Sequence, residues 1–108
     1  MNYKILYTTT FKRELKRLSK KYSSLKSDFE NFIDALEKEP FGGTSLGHNC
    51  FKFRLAISSK NKGKSGGARV ITYIRIVHNE VVLLTIYDKS EKNNISQKEL
   101  DEIIKSKM

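Results

Sequence analysis

Phe51-Lys52-Phe53-Arg54-Leu55-Ala56-Ile57 decides how this chain is read. Phe51, Phe53, Leu55 and Ile57 take alternate positions, with Lys52 and Arg54 between them. That period of two specifies a strand with one apolar and one cationic face. Downstream, Lys60-Asn61-Lys62-Gly63-Lys64-Ser65-Gly66-Gly67 reads as a loop, and residues 68–77 as a long β-branched strand that again carries basic side chains, Arg69 and Arg75. His78-Asn79-Glu80 supplies turn chemistry for a hairpin. The return, Val81-Val82-Leu83-Leu84-Thr85-Ile86-Tyr87, is almost continuously apolar and belongs at the sheet centre.

Working outward, Tyr3-Lys4-Ile5-Leu6-Tyr7 is a short β-prone run able to add a strand to the same sheet. Thr8, Thr9 and Thr10 offer caps for a helix over residues 11–22, whose apolar face is Phe11, Leu15, Leu18 and Tyr22. Lys12, Arg13, Lys16, Arg17, Lys20 and Lys21 cover the rest of it against Glu14 alone, as a solvated surface or a phosphate-contacting one. After a break at Ser23 and Ser24, a second helix spans residues 25–38 with Leu25, Phe29, Phe32, Ile33 and Leu36 on one stripe, and the short turn makes the two helices an antiparallel hairpin. Residues 41–49, with three glycines, read as loop, and His48 within it as a surface residue rather than a general base. A polar connector over 88–94 leads to a final short helix, begun by a Ser96/Glu99 capping box with Ile95 stapled onto Leu100. The order β-α-α-β-β-β-α predicts an α+β fold across residues 1–108 as one domain: a two-helix hairpin on one face of an antiparallel sheet, the other face left open and lined by the basic side chains.

The 108 residues carry 21 Lys and Arg against 12 Asp and Glu, a formal charge of +9. Between Pro40 and Asn79 there is no acid at all, against Lys52, Arg54, Lys60, Lys62, Lys64, Arg69 and Arg75. Positive charge so concentrated calls for an anion, and a polyanion fits best. No run approaches the roughly 20 apolar residues of a membrane span, so the expected setting is cytoplasmic with no membrane partner. A single cysteine, Cys50, excludes an internal disulfide, and His48 and His78 are too isolated for a metal site; no cofactor is expected.

Paired carboxylates and a Ser-His-Asp set are both missing. Gly63-Lys64-Ser65 lacks the glycine that a phosphate loop requires, since Ser59 stands there and a strand follows. The remaining constellation suits metal-free cleavage of RNA, which brings its own 2′-hydroxyl nucleophile. Guanidinium groups stabilise the charged phosphorane, which makes Arg54 and Arg69 the candidates for that task. A lysine among other cations titrates low enough to exchange protons, which nominates Lys52 and Lys89. Lys60, Lys62, Lys64, Arg75 and Lys92 are candidate RNA-binding residues. All four catalytic candidates are equally compatible with simple binding of backbone phosphate.

Lys52-Phe-Arg54-Leu-Ala-Ile-Ser-Ser, the segment from Lys60 through Gly66-Gly67-Ala-Arg69-Val-Ile-Thr-Tyr73, and Leu83-Leu-Thr-Ile-Tyr87-Asp-Lys89-Ser-Glu91 resemble the RelE/ParE toxin superfamily, in particular its HigB-type branch. The resemblance implies a type II toxin that binds a cognate antitoxin and, in the RelE and HigB branches, cuts mRNA on the ribosome, arresting translation and growth. The matching catalytic positions are Lys52, Arg54 and Arg69. Where the RelE pattern has a further arginine and a tyrosine, this chain has Ser90 and Ser96, so Lys89 or Lys92 stands in for the missing groups. The ParE branch offers the alternative, a non-catalytic inhibitor of DNA gyrase. The antitoxin is expected to be acidic or to present an amphipathic segment that covers the basic surface or displaces the last helix.

Overall fold

The computed structural model describes residues 3–61, 63 and 66–107. Five strands form one sheet in the order β1-β5-β4-β3-β2, where β1 is Lys4–Tyr7, β2 Thr44–Gly47, β3 Cys50–Leu55, β4 Ala68–Arg75 and β5 Glu80–Asp88. Three helices, α1 (Thr9–Lys21), α2 (Leu25–Lys38) and α3 (Gln97–Lys107), complete the fold.

The α1/α2 hairpin forms where the apolar spacing requires it. The Thr8 hydroxyl accepts the Phe11 amide and so caps α1, while donating to the Leu84 carbonyl at 2.9 Å, which ties the helix start to β5. Phe11, Leu18, Leu25, Phe29 and Leu36 pack on Leu55, Val70, Ile74, Val81, Leu83 and Ile86 in one core. A second core lies on the opposite face, where Leu100, with Ile103 and Ile104, covers Cys50, Ile71, Leu84 and Tyr87. The predicted capping box begins α3: the Glu99 amide donates to Ser96 Oγ at 3.1 Å and the Ser96 amide to Glu99 Oε1 at 3.2 Å.

The hairpin on a sheet is as expected, and three details differ. The sheet is mixed, because β1 runs parallel to β5. The second face is partly roofed by α3 rather than left open. The supposed loop contains β2, which turns into β3 through His48 and Asn49, both with positive φ (52° and 62°). Two left-handed residues between paired strands make the tight turn whose twist matches a hairpin.

One glycine fixes the entry to β4. A Cβ on Gly67 would lie 2.1 Å from the Leu55 carbonyl oxygen, so the loop can close onto β3 only without a side chain there. That closure sets the register of the strands that carry the central cations.

Candidate phosphate-handling site

Antiparallel pairing places Arg54 opposite Arg69, and Arg69 opposite Tyr87, so one rung of the sheet reads Arg54–Arg69–Tyr87 across three strands. Lys52 sits two residues along β3 on the same face, opposite Ile71. This is the face away from the helix hairpin, because Phe51, Phe53 and Leu55 take the other one. Like charges directly opposite each other destabilise a sheet.

The two guanidinium groups are not equivalent. Arg54 is exposed and Lys52 half-buried, whereas Arg69 keeps only 5% of its surface, with Nη1 donating to the Ala68 carbonyl at 3.2 Å. The expected open spot is therefore open at β3 and closed at β4. Beside Arg69, the Tyr87 hydroxyl is buried, near enough to the Ile95 amide to feel it but without a well-aligned hydrogen bond among the described residues. Burial raises the Tyr87 pKa, and the positive charge of Arg69 works against that rise.

The remaining candidates separate into groups. Lys89 Nζ donates to the Asn93 carbonyl at 2.9 Å and closes the turn after β5. Lys92 pairs with Glu99 at the start of α3 and lies 5.6 Å from the Tyr87 ring centroid, joining the connector to the helix that roofs this face. Arg75 is six residues from Arg69 along β4, about 20 Å away, and pairs with Glu80 at 3.1 Å. His48 stands in the β2–β3 turn, beside Tyr73, Asp101 and Lys105, toward the other end of β3 from Arg54. Lys62 and Lys64 lie outside the described residues.

Lys60 has a different place from the one its sequence context indicates. Its ammonium is nearly buried and contacts Asp88 Oδ1 at 2.8 Å. Asp88, fully buried at the end of β5, also accepts the Tyr22 hydroxyl at 2.5 Å and the Ser90 amide and hydroxyl at 3.0 and 2.8 Å. Burial alone would raise the Asp88 pKa; the bonds from Lys60, Tyr22 and Ser90 outweigh it and hold the carboxyl well below the usual carboxylate range. The cations of the acid-free window are thus partly neutralised after all, Lys60 by Asp88 and Arg75 by Glu80, both acids of β5. Sequence reasoning missed this node because Tyr22 reads as one more core aromatic. The signal available was an aspartate ending an apolar strand that is expected to be buried.

Among the described residues, no group of His, Cys, Asp and Glu is placed to hold a metal ion, and no helix is long and apolar enough to cross a membrane.

The class that emerges is a small basic α+β domain of three helices on a five-stranded sheet, with Arg54 and Arg69 directly opposed on one sheet face. The chain belongs to the RelE toxin family: the model of that family, described as the RelE toxin of the RelE/RelB toxin-antitoxin system, matches residues 3–107. Among solved structures, the fold is similar to the Mycobacterium tuberculosis toxin-antitoxin complex RelBE2, at 24% identity and TM-score 0.59 over 82% of this chain and 99% of that one. It is also similar to a double-arginine mutant of the Escherichia coli toxin RelE in the free state, at 15% identity and TM-score 0.63 over the whole of both chains. No curated protein matches the sequence.

Proposed function

We propose that this RelE-family toxin is a metal-independent endoribonuclease that cuts mRNA on the ribosome, and that a cognate antitoxin of the RelB kind silences it. The observation that carries the reading is the Arg54–Arg69 rung with Lys52 beside it. Two arginines at directly opposed positions on one sheet face supply paired guanidinium groups of the kind that bind a phosphate.

In the reaction the RNA 2′-oxygen attacks the adjacent phosphorus while its proton passes to a base, and the bond from phosphorus to the 5′-oxygen breaks as that oxygen is protonated. The products are a 2′,3′-cyclic phosphate and a 5′-hydroxyl. Arg54, exposed, contacts the non-bridging oxygens as charge accumulates on them. Arg69, buried beneath, holds a fixed positive field at the same point, where low dielectric makes it stronger than a solvated charge. Lys52, on the same face and half-buried, is the nearer candidate for proton transfer; Lys89 is engaged by the Asn93 carbonyl and must let go before it can act.

The antitoxin, in this reading, meets the roofed face. There α3 lies over the Tyr87 end of the rung and is tied to the connector by Lys92 and Glu99.

Primer extension on mRNA in translating ribosomes tests the proposal. Wild-type protein should give discrete cleavages, and Arg54→Ala, an exposed change that leaves the core intact, should cut at least about 100-fold more slowly. Undiminished cleavage by a folded Arg54→Ala protein would overturn the assignment. Absence of cleavage by the wild type, with growth arrest retained, would favour the gyrase-inhibitor alternative.

A further inference from the structure

The connector that follows β5, Asp88-Lys89-Ser90-Glu91-Lys92-Asn93-Asn94, holds no apolar side chain. Burial of apolar surface cannot shape such a segment, so polar bonds do. Its backbone turns sharply at Asp88, whose carbonyl accepts the Glu91 and Lys92 amides, both at 3.0 Å. Alternation along β5 puts Tyr87 on the rung's face of the sheet and Asp88 on the hairpin's. Lys89, whose amide bonds the Gly67 carbonyl at 3.0 Å, continues on the side of Tyr87. The turn thus carries two lysines to the end of the rung: Lys89 beside the entry to β4, and Lys92 with its ammonium 5.6 Å from the Tyr87 ring centroid.

Glu91 reaches the other way, onto α1. Arg17 holds its carboxylate in a fork, Nη2 donating to Oε1 at 2.8 Å and Nη1 to Oε2 at 3.3 Å, and the Lys21 ammonium donates to Oε2 at 2.9 Å. Both oxygens are engaged, by cations 74 and 70 positions earlier in the chain. The three side chains stay a third to a half exposed, and ion pairs that water can reach stabilise a fold little. What a paired fork does supply is orientation.

We infer that Glu91 is a positioning residue for the cleavage reaction: clamped by Arg17 and Lys21, it fixes the turn after β5 so that Lys89 and Lys92 stand at the Tyr87 end of the Arg54–Arg69–Tyr87 rung. The inference rests on the reading of the protein as a nuclease. Glu91 touches no substrate and acts through the turn. Asp88 roots that turn from the hairpin side through Tyr22 and Lys60, and Lys92 with Glu99 ties its far end to α3. Without Glu91 the root and the far end remain, and the hold of α1 on the middle is lost.

Charge balance is the competing account of Glu91. On that account, removing the carboxylate frees two cations, which tightens binding to ribosomes and leaves the chemical step alone. Positioning has the opposite signature, a slower step at saturation, because displacing a reacting group by about 1 Å costs up to about 100-fold.

The test compares the full-length wild type with Glu91→Ala, Arg17→Ala and the double variant, by single-turnover cleavage of mRNA on ribosomes titrated to saturation. Glu91→Ala should lower the saturating rate by about 10- to 100-fold with little change in the half-saturating ribosome concentration. Reading the rate at saturation removes any part that Arg17 plays in binding. There the double variant should be no slower than Glu91→Ala, since both changes break one clamp. Exchange of the Glu91 and Lys92 amides should quicken in Glu91→Ala, while its urea midpoint stays close to that of wild type. A Glu91→Ala protein that cuts at the wild-type rate overturns the inference and leaves the nuclease reading standing. Rate losses that multiply in the double variant, unaltered amide exchange, or a large fall in the urea midpoint overturn it as well. A wild type that cuts nothing ends the nuclease reading and this role with it.

Discussion

Lys60 and Asp88 form an ion pair at 2.8 Å in which neither side chain keeps more than 8% of its surface. The pair joins the loop after β3 to the end of β5, and Tyr22 brings the end of α1 to the same carboxylate. Among the described residues, removing Lys60 leaves the buried Asp88 carboxylate with only the longer 3.8 Å ion contact to the exposed Lys21 ammonium, a weak compensation for a buried charge. Lys60→Met should therefore destabilise the protein by on the order of 3 kcal/mol, read as a lower urea midpoint. The double variant Lys60→Met with Asp88→Leu should recover part of that loss. A neutral effect of the single change would mean that Asp88 does not depend on Lys60.

The same carboxylate sets a pH dependence. Its folded pKa lies below the ordinary value, so its contribution is complete above the unfolded pKa of about 4 and is lost as pH falls toward the folded one. The stability gap between wild type and Asp88→Asn should accordingly be widest near neutrality and narrow as pH drops through the acid range. Glu91, held down to about 2 by its bonds from Arg17 and Lys21, adds to the wild-type slope in the same direction. Urea midpoints by circular dichroism at a series of pH values check the sign; a gap that widens on acidification would contradict it.

Gly67 should tolerate no side chain. Its Cβ would meet backbone, the Leu55 carbonyl, rather than a side chain able to swing aside. Gly67→Ala is expected to lower stability by about 3 kcal/mol and to weaken the Arg54–Arg69 rung next to it. Thermal unfolding reads the first effect, and amide exchange in β3 and β4 reads the second.

Tyr87 gives the opposite expectation. Among the described residues its buried hydroxyl has only the Ile95 amide nearby and no well-aligned hydrogen bond, and an ill-satisfied polar group carries a desolvation penalty. Tyr87→Phe should leave stability unchanged or raise it by up to about 1 kcal/mol. A clear loss in the melting temperature would reveal a bond that the hydroxyl makes in solution.

What the sequence disclosed follows from how local each signal is. The bounds of α2 and the Ser96/Glu99 cap are set within a few residues, and both read correctly. The alternation of Phe51, Lys52, Phe53 and Arg54 fixes faces, so the shared side of Lys52 and Arg54 was legible too. Strand β2 was not, because its signal is a His-Asn turn in left-handed geometry rather than the familiar Asn-Gly pair. The burial of Arg69 and the neutralisation of Lys60 were also out of reach. Each depends on residues brought in from elsewhere in the chain, Asp88 at the end of β5 in the case of Lys60, and an acid-free stretch of sequence says nothing about acids that arrive through space.

The parallel pairing of β1 with β5 sets Lys4 beside Glu80 and Tyr7 beside Leu83, and Thr8 bonds a carbonyl 76 positions later. During synthesis β1 therefore waits, unpaired, until β5 has been made, and contacts so distant in sequence form slowly. The first strand to be made is thus among the last to find its place, and β3 and β4, which carry Arg54 and Arg69, are complete before the sheet closes.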